Sequence, residues 1–265
     1  MNGNSLRPED TRVTAEIDMI NFVGYHRTEN EDNCCINDYF IPLDQRNSNM
    51  ECSTTHTGRT HLYGVFDGVA SDASGEIASL AAAHFFAAQS QNDLHGWMTD
   101  HSELTAAFLS ANEHVLSFAS GSATTSVLLG IADGCAFTAH LGDSRAYLLR
   151  GGKLTALFED DITVQMENTT SRSHCITRYL GAPSTQGLFI PDPCTVIPLE
   201  IGDVFLLCSD GLSDMLDDRQ IRSVLTAEAT SQHQRAVALV QEALANGGFD
   251  NITTILIRIT ALEGA

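Results

Sequence analysis

Four aspartates stand at the margins of short apolar runs, each beside a glycine or asparagine: Asp67-Gly68, Gly142-Asp143, Asp210-Gly211 and Asp250-Asn251. Any one such pair alone is an ordinary turn signal, and Asp133-Gly134 is read as no more than that. A hairpin needs a second strand directly after the turn. Asp67-Gly68 instead runs into residues 69–74 and then a helical pattern, and Asp210-Gly211 leads into Leu212-Ser213-Asp214. Two buried strands therefore deliver a carboxylate to their ends, where a charge is costly unless paired or bound to a cation. The chain has 14 Lys and Arg against 34 Asp and Glu, so bound cations are attractive partners. Carboxylates, backbone carbonyls and water suit Mg²⁺ or Mn²⁺, and several carboxylates favour more than one ion, with Asp67 as a possible bridge. Such a pair generates a hydroxide and holds the attacking and leaving oxygens of a phosphoryl transfer.

The pattern around these aspartates predicts strands over 12–23, 33–41 and 60–66, then helices over 74–89 and 104–119 where apolar residues take helical spacing. Strand-like runs at 122–132, 135–141, 145–150 and 153–158, joined by Asp133-Gly134 and Gly151-Gly152, predict an antiparallel meander. A strand at 204–208, helices at 219–225 and 232–246, a Gly247-Gly248 stop and a last strand at 252–259 follow. Two antiparallel sheets with a helix pair over each outer face are expected. This is an α+β fold, a four-layer helix-sheet-sheet-helix sandwich. Nothing marks a domain boundary, so residues 1–265 are expected to form a single domain, with the first ten or so residues and the polar stretch 44–60 loose.

A formal charge of −20 repels nucleic acid and anionic membranes, and neither is an expected partner. The seven cysteines show no C-x-x-C spacing, which argues against a zinc site and for reduced thiols in a cytoplasm. No stretch approaches the length of a membrane span and the first residues lack a signal-peptide pattern, so a cytoplasmic protein is expected.

In order, Arg27-Thr28-Glu29-Asn30-Glu31-Asp32, Gly64-Val65-Phe66-Asp67-Gly68, Leu141-Gly142-Asp143-Ser144-Arg145-Ala146, Ile176-Thr177-Arg178-Tyr179-Leu180-Gly181, Cys208-Ser209-Asp210-Gly211-Leu212-Ser213-Asp214 and Asp250-Asn251-Ile252-Thr253 resemble successive motifs of the type 2C metal-dependent protein phosphatases, bacterial members above all. The resemblance implies hydrolysis of phosphoserine and phosphothreonine by a metal-bridging hydroxide, without a phosphoenzyme. It implies that Asp67, Asp210 and Asp250 bind two central Mn²⁺ or Mg²⁺ ions with the carbonyl of Gly68, and that Glu31 or Asp32 completes the shell. Asp143 and Asp214, with Asp210, match positions of a third ion. Arg27 matches the phosphate-binding arginine and is carried as a catalytic residue together with Asp32. Arg145 and Arg178 are expected to be structural and Ser144 to be a turn residue. The implied partners are phosphorylated proteins made by a Ser/Thr kinase, and a monomer is expected.

Two departures from the family pattern stand out. Many eukaryotic members have a histidine after the Asp-Gly pair, a candidate general acid, where this chain has Val69. His26, His140 and His174 lie near motifs but carry no assigned role. The segment 161–175 is shorter than the flap of bacterial relatives, which implies reduced substrate gating. The rival from another class is a noncatalytic regulatory or phosphoprotein-binding domain of the same fold. A haloacid-dehalogenase-like site fails because its nucleophile position would be Val65. A serine hydrolase at Ser144 needs a helix where 147–150 reads as a strand.

Overall fold

The computed structural model describes residues 11–69, 75–166, 172–183, 187–228 and 231–264, with the backbone alone at 164–166 and 172–174. Strands β1 (Arg12–Phe22), β2 (Asp32–Ile36), β3 (Tyr39–Phe40), β4 (Met50–Gly58) and β5 (His61–Val69) precede helices α1 (Gly75–Gln89), α2 (His95–Thr99) and α3 (His101–Phe118). Then come β6 (Ala123–Thr124), β7 (Ser126–Ala132), β8 (Cys135–Leu141), β9 (Arg145–Arg150), β10 (Lys153–Ala156), β11 (Ile162–Met166), β12 (Arg172–Ile176) and β13 (Thr195–Pro198). The chain continues through β14 (Val204–Cys208), α4 (Asp210–Ser213), α5 (Asp218–Leu225), α6 (Gln232–Ala245) and β15 (Ile252–Glu263).

One sheet has the order β10-β9-β14-β15-β1-β4 and the other β13-β8-β7-β5-β2-β3, with β6 paired to β5 and every pairing antiparallel. Central strands such as β5, β7 and β14 are apolar on both faces because each lies between the opposite sheet and a helix layer. Ile17, Met19, Tyr63, Val127, Phe205 and Ile257 fill the space between the sheets. Phe66, Phe86, Phe108 and Phe137 seat α1 and α3 on one outer face, and Leu206, Ile221, Leu239 and Leu256 seat α5 and α6 on the other. The four-layer sandwich expected from the sequence is the architecture found. Its helix starts are locally encoded: Asp217 with Gln220 and Ser231 with Gln234 form capping boxes, and Asp100 accepts from Ser102 N at the start of α3.

Two expectations are corrected. The stretch 44–60 is not a loose loop, since β4 spans Met50–Gly58 and pairs with β1 from Asn21↔Met50 to Val13↔Gly58. As an edge strand it needs one covered face only. Met50, Cys52, Thr54, His56 and Gly58 are half-buried, while Glu51, Ser53, Thr55 and Thr57 face solvent. The meander over 122–158 is also not one sheet, because β7–β8 belongs to one sheet and β9–β10 to the other. The chain changes sheets at Gly142-Asp143-Ser144, where Gly142 takes φ +98° and leaves no room for a Cβ against Thr125. The first ten residues, expected to be loose, and Ser74, the expected helix start, lie outside the described residues. Among the described residues no helix is long and apolar enough to cross a membrane.

Candidate metal centre

The pairing of β2 with β5 sets Asp32 directly opposite Asp67. Two carboxylates facing across a ladder destabilise it unless each has a separate fate. Asp32 points inward: its Oδ2 accepts from Ser209 Oγ at 2.7 Å and from Thr253 Oγ1 at 2.6 Å. Asp67 faces a cleft of about 850 Å³ whose lining includes Arg27, Glu31, Gly68, Asp143, Asp210, Asp214 and Asp250. Every site residue expected from the sequence thus borders the cleft except Asp32, which lies beneath it. Ser209 directly follows β14 and stands at the N-cap of α4, so the chain turns there and presents Asp210 to the cleft. Asp250 enters from the loop before β15. Val69, Ile162, Cys175 and Tyr179 form a less polar wall, the second and third from the β11–β12 hairpin.

Among the described residues, the carboxylates bordering the cleft outnumber its two side-chain cations, Arg27 and Arg145. Arg27 is the nearest guanidinium, with Nη2 donating to Asp250 Oδ2 at 2.6 Å and Nη1 3.9 Å from Glu31 Oε2. Arg145, although it also borders the cleft, is spent on a fork to Asp160, with Nε–Oδ1 at 2.9 Å and Nη2–Oδ2 at 2.7 Å. Burial, reinforced by Asp210, Asp32, Asp250 and Asp143, pushes the Asp67 carboxyl far above the usual carboxylate range. Asp210 is raised to about 8 by burial and then by Asp143, Asp250 and Asp214. Asp143 is raised to about 6, again by burial first. Asp143 Oδ1 and Asp210 Oδ1 are buried and accept no hydrogen bond from the described residues. Among the described residues no three such side chains close tightly enough to define one ion position. What converges is a wider ring of oxygen donors with excess negative charge and orphaned lone pairs, which fits hard divalent cations and nothing softer.

The frame holding the ring was not legible as function. Asn251 Oδ1 accepts from Glu31 N at 2.8 Å, and its Nδ2 donates to Val23 O and Glu29 O, tying the Arg27 loop to Asp250. Asn30 Nδ2 donates to Asn21 Oδ1, and Asn21 Nδ2 donates to Thr253 Oγ1, extending the Asp32 network through the core. Thr125 Oγ1 accepts from Asp67 N at 3.0 Å and pairs with Ser144 Oγ at 2.7 Å, so Ser144 is a buried strut within its turn. Arg178 donates to Asp161, Asp192 and Ile190 O, so it, like Arg145, is engaged by carboxylates outside the ring. His140 is buried, stacked on Phe158 and bonded to Glu159 O, while the His174 side chain lies outside the described residues.

Gly68 is a close-approach position. A Cβ there would lie 2.2 Å from Gly75 O and 2.7 Å from Glu31 O, both backbone atoms. Gly68→Ala is therefore expected to cost about 1–3 kcal/mol through overpacking. Thermal unfolding in chelator measures this, and an unchanged Tm refutes the tight fit.

The Protein phosphatase 2C family model matches residues 50–247. A Mycobacterium tuberculosis serine/threonine protein phosphatase, PstP, is 31% identical over 205 residues, covering 74% of this chain and 40% of the relative. The chain thus spans well under half the length of that relative. Protein phosphatase PhpP of Streptococcus pneumoniae is 29% identical over 265 residues, covering 91% of this chain and 96% of the relative. The crystal structure of M. tuberculosis PstP superposes with a TM-score of 0.73 at 26% identity, covering 94% of this chain and 100% of the other. Another structure of the PstP catalytic domain, in complex with two manganese ions, gives a TM-score of 0.69 at 26% identity, with 94% and 100% covered. The chain belongs to the protein phosphatase 2C family.

Proposed function

We propose that this chain is one phosphatase domain that hydrolyses phosphoserine and phosphothreonine in proteins, depends on Mn²⁺ or Mg²⁺, and forms no phosphoenzyme. The observation that carries this reading is the convergence of Glu31, Asp67, Asp143, Asp210, Asp214 and Asp250 on one cleft beside Arg27, with two buried carboxylate oxygens that take no hydrogen bond from the described residues. Asp67, Asp210, Asp250, Glu31 and the Gly68 carbonyl would hold two central ions, and Asp143 and Asp214 with Asp210 a third. Ions bound there supply an acidified water and neutralise charge on the phosphoryl oxygens.

The chain's own groups do the rest. Arg27, about half-exposed at the cleft mouth, presents a planar fork to the phosphate of the substrate. Asp32, held by Ser209 and Thr253, fixes the depth of β2 against β5 and keeps a carboxylate beneath the reacting centre. Val69, exposed at the rim, offers no proton, so the leaving alkoxide takes its proton from water or from another side chain of the cleft. The proposed partners are phosphoproteins made by a Ser/Thr kinase, and the proposed setting is a cytoplasmic monomer.

The deciding experiment is turnover of a phosphothreonine peptide with Mn²⁺ or Mg²⁺, after exhaustive chelation, and after add-back. Activity is expected to vanish on chelation and return with the ion. Full activity without metal rejects the metal mechanism. Binding of phosphopeptide with no turnover under any ion favours a noncatalytic domain instead.

A further inference from the structure

Three aromatic side chains among the described residues are more than half exposed: Tyr25 at 66%, Phe118 at 64% and Phe249 at 57%. Two of them flank the site. Tyr25 lies two residues before Arg27 and Phe249 directly before Asp250, and the Arg27–Asp250 hydrogen bond joins the two loops. The rings have built seats. Tyr25 N donates to Gly248 O at 2.9 Å. A Cβ on Gly247 would meet the Phe249 ring at 2.4 Å, and one on Gly248 would meet the Tyr25 ring at 3.3 Å, so both rings lie over the glycine pair that ends α6. Phe22 packs its ring against Tyr25 edge-on with centroids 6.4 Å apart, and His26 packs against Phe249 at 4.8 Å. Each ring is thus braced by one neighbour while most of its surface stays in water.

We infer that Tyr25 and Phe249 form a subsite for an arginine side chain of the phosphoprotein substrate, close in sequence to the phosphorylated residue. This rests on the phosphatase reading above and deepens it. Two observations favour a guanidinium over an apolar occupant. Ring faces attract a planar cation. The chain as a whole is also strongly negative, and at −20 it stays so even with three divalent ions bound. An acidic neighbour of the phosphorylated residue is repelled for the same reason.

The test uses the Mn²⁺-loaded full chain and a set of phosphothreonine peptides that differ only in carrying Arg, Leu or Asp at one position within three residues of the phosphothreonine. At one or more positions Arg is expected to exceed Leu in kcat/KM by about three- to tenfold, through KM, with Asp poorest and the preference shrinking as salt rises. The double variant Tyr25→Leu/Phe249→Leu keeps apolar bulk but no ring face, and its Arg-to-Leu ratio is expected to fall to about one. Turnover of the Leu peptide reports whether that variant folds. The exchange Tyr25→Phe/Phe249→Tyr keeps both faces and is expected to keep the preference, which holds the question open to test should the leucine variant misfold. A wild type that cleaves all peptides without an Arg preference, or an Arg preference that survives the leucine variant, overturns the inference alone. A Leu preference assigns an apolar occupant and also overturns it. A wild type that cleaves no peptide overturns the phosphatase reading and this inference with it.

Discussion

Asp67→Asn and Asp210→Asn each lower kcat on a phosphothreonine peptide by at least about a hundredfold, and each makes the metal-free protein harder to unfold. The first half follows from rank: partners one step removed from a metal already cost about 10–100-fold when changed, and these two carboxylates are proposed to touch the ions. The second half follows from burial. In the metal-free chain both carboxyls are raised first by desolvation and then by neighbouring carboxylates, Asp210 to about 8. A carboxyl whose folded pKa lies above its unfolded value binds its proton more tightly in the folded state, so folding stability falls as pH rises through that interval. In chelator, the wild-type Tm is therefore expected to drop between pH 4 and about 8. Each amide variant should flatten part of that slope and raise the Tm at the alkaline end. Saturating Mn²⁺ reverses the order, because only the wild type gains from the ion. Thermal melts at several pH values, with and without Mn²⁺, read all three effects. Near-normal turnover in both variants rejects the ligand assignment, and a chelated wild type as stable at pH 8 as at pH 5 rejects the account of charge repulsion.

The layers and the acidic ring were legible in the sequence because each has a local signal. Helical spacing in 74–89 and 232–246 is periodic, and an aspartate that ends an apolar run without a return strand stands out, as Asp67 and Asp210 do. The edge strand β4 was missed because its signal is alternation among Thr, Ser and His, not hydrophobicity: Glu51-Cys52-Ser53-Thr54-Thr55-His56-Thr57 covers only one face. The change of sheet at Gly142 was missed because a hairpin pair looks alike whether or not its strands continue into the next hairpin. The supports were least visible. Asn21, Asn30, Thr125, Ser209 and Thr253 are small polar residues whose ordinary prior is a turn or a surface, and only long-range pairing buries them around Asp32 and Asp67.

Arg27→Ala raises KM for a phosphopeptide by about tenfold or more, with a smaller fall in kcat. A charge-assisted contact contributes about 1.5–3 kcal/mol, and one made equally in bound substrate and transition state appears in KM alone. Any strengthening as charge shifts onto the phosphoryl oxygens adds the smaller kcat term. The structure adds a second readout. Arg27 Nη2 is 2.6 Å from Asp250 Oδ2, so the guanidinium competes with a divalent ion for that carboxylate. Its removal frees Asp250 and takes a positive charge from the cleft mouth, and the Mn²⁺ midpoint for Arg27→Ala is expected to move to lower concentration. Arg27→Lys keeps the charge but loses the two-pronged geometry. It should hold the Mn²⁺ midpoint near the wild-type value while recovering only part of kcat/KM. Steady-state constants and Mn²⁺ titrations on both variants separate the two roles, because charge sets the metal midpoint and the planar fork sets the affinity for phosphate. An alanine variant with unaltered KM, kcat and Mn²⁺ midpoint would reduce Arg27 to a surface ion pair, which on an exposed site is worth about 0–1 kcal/mol.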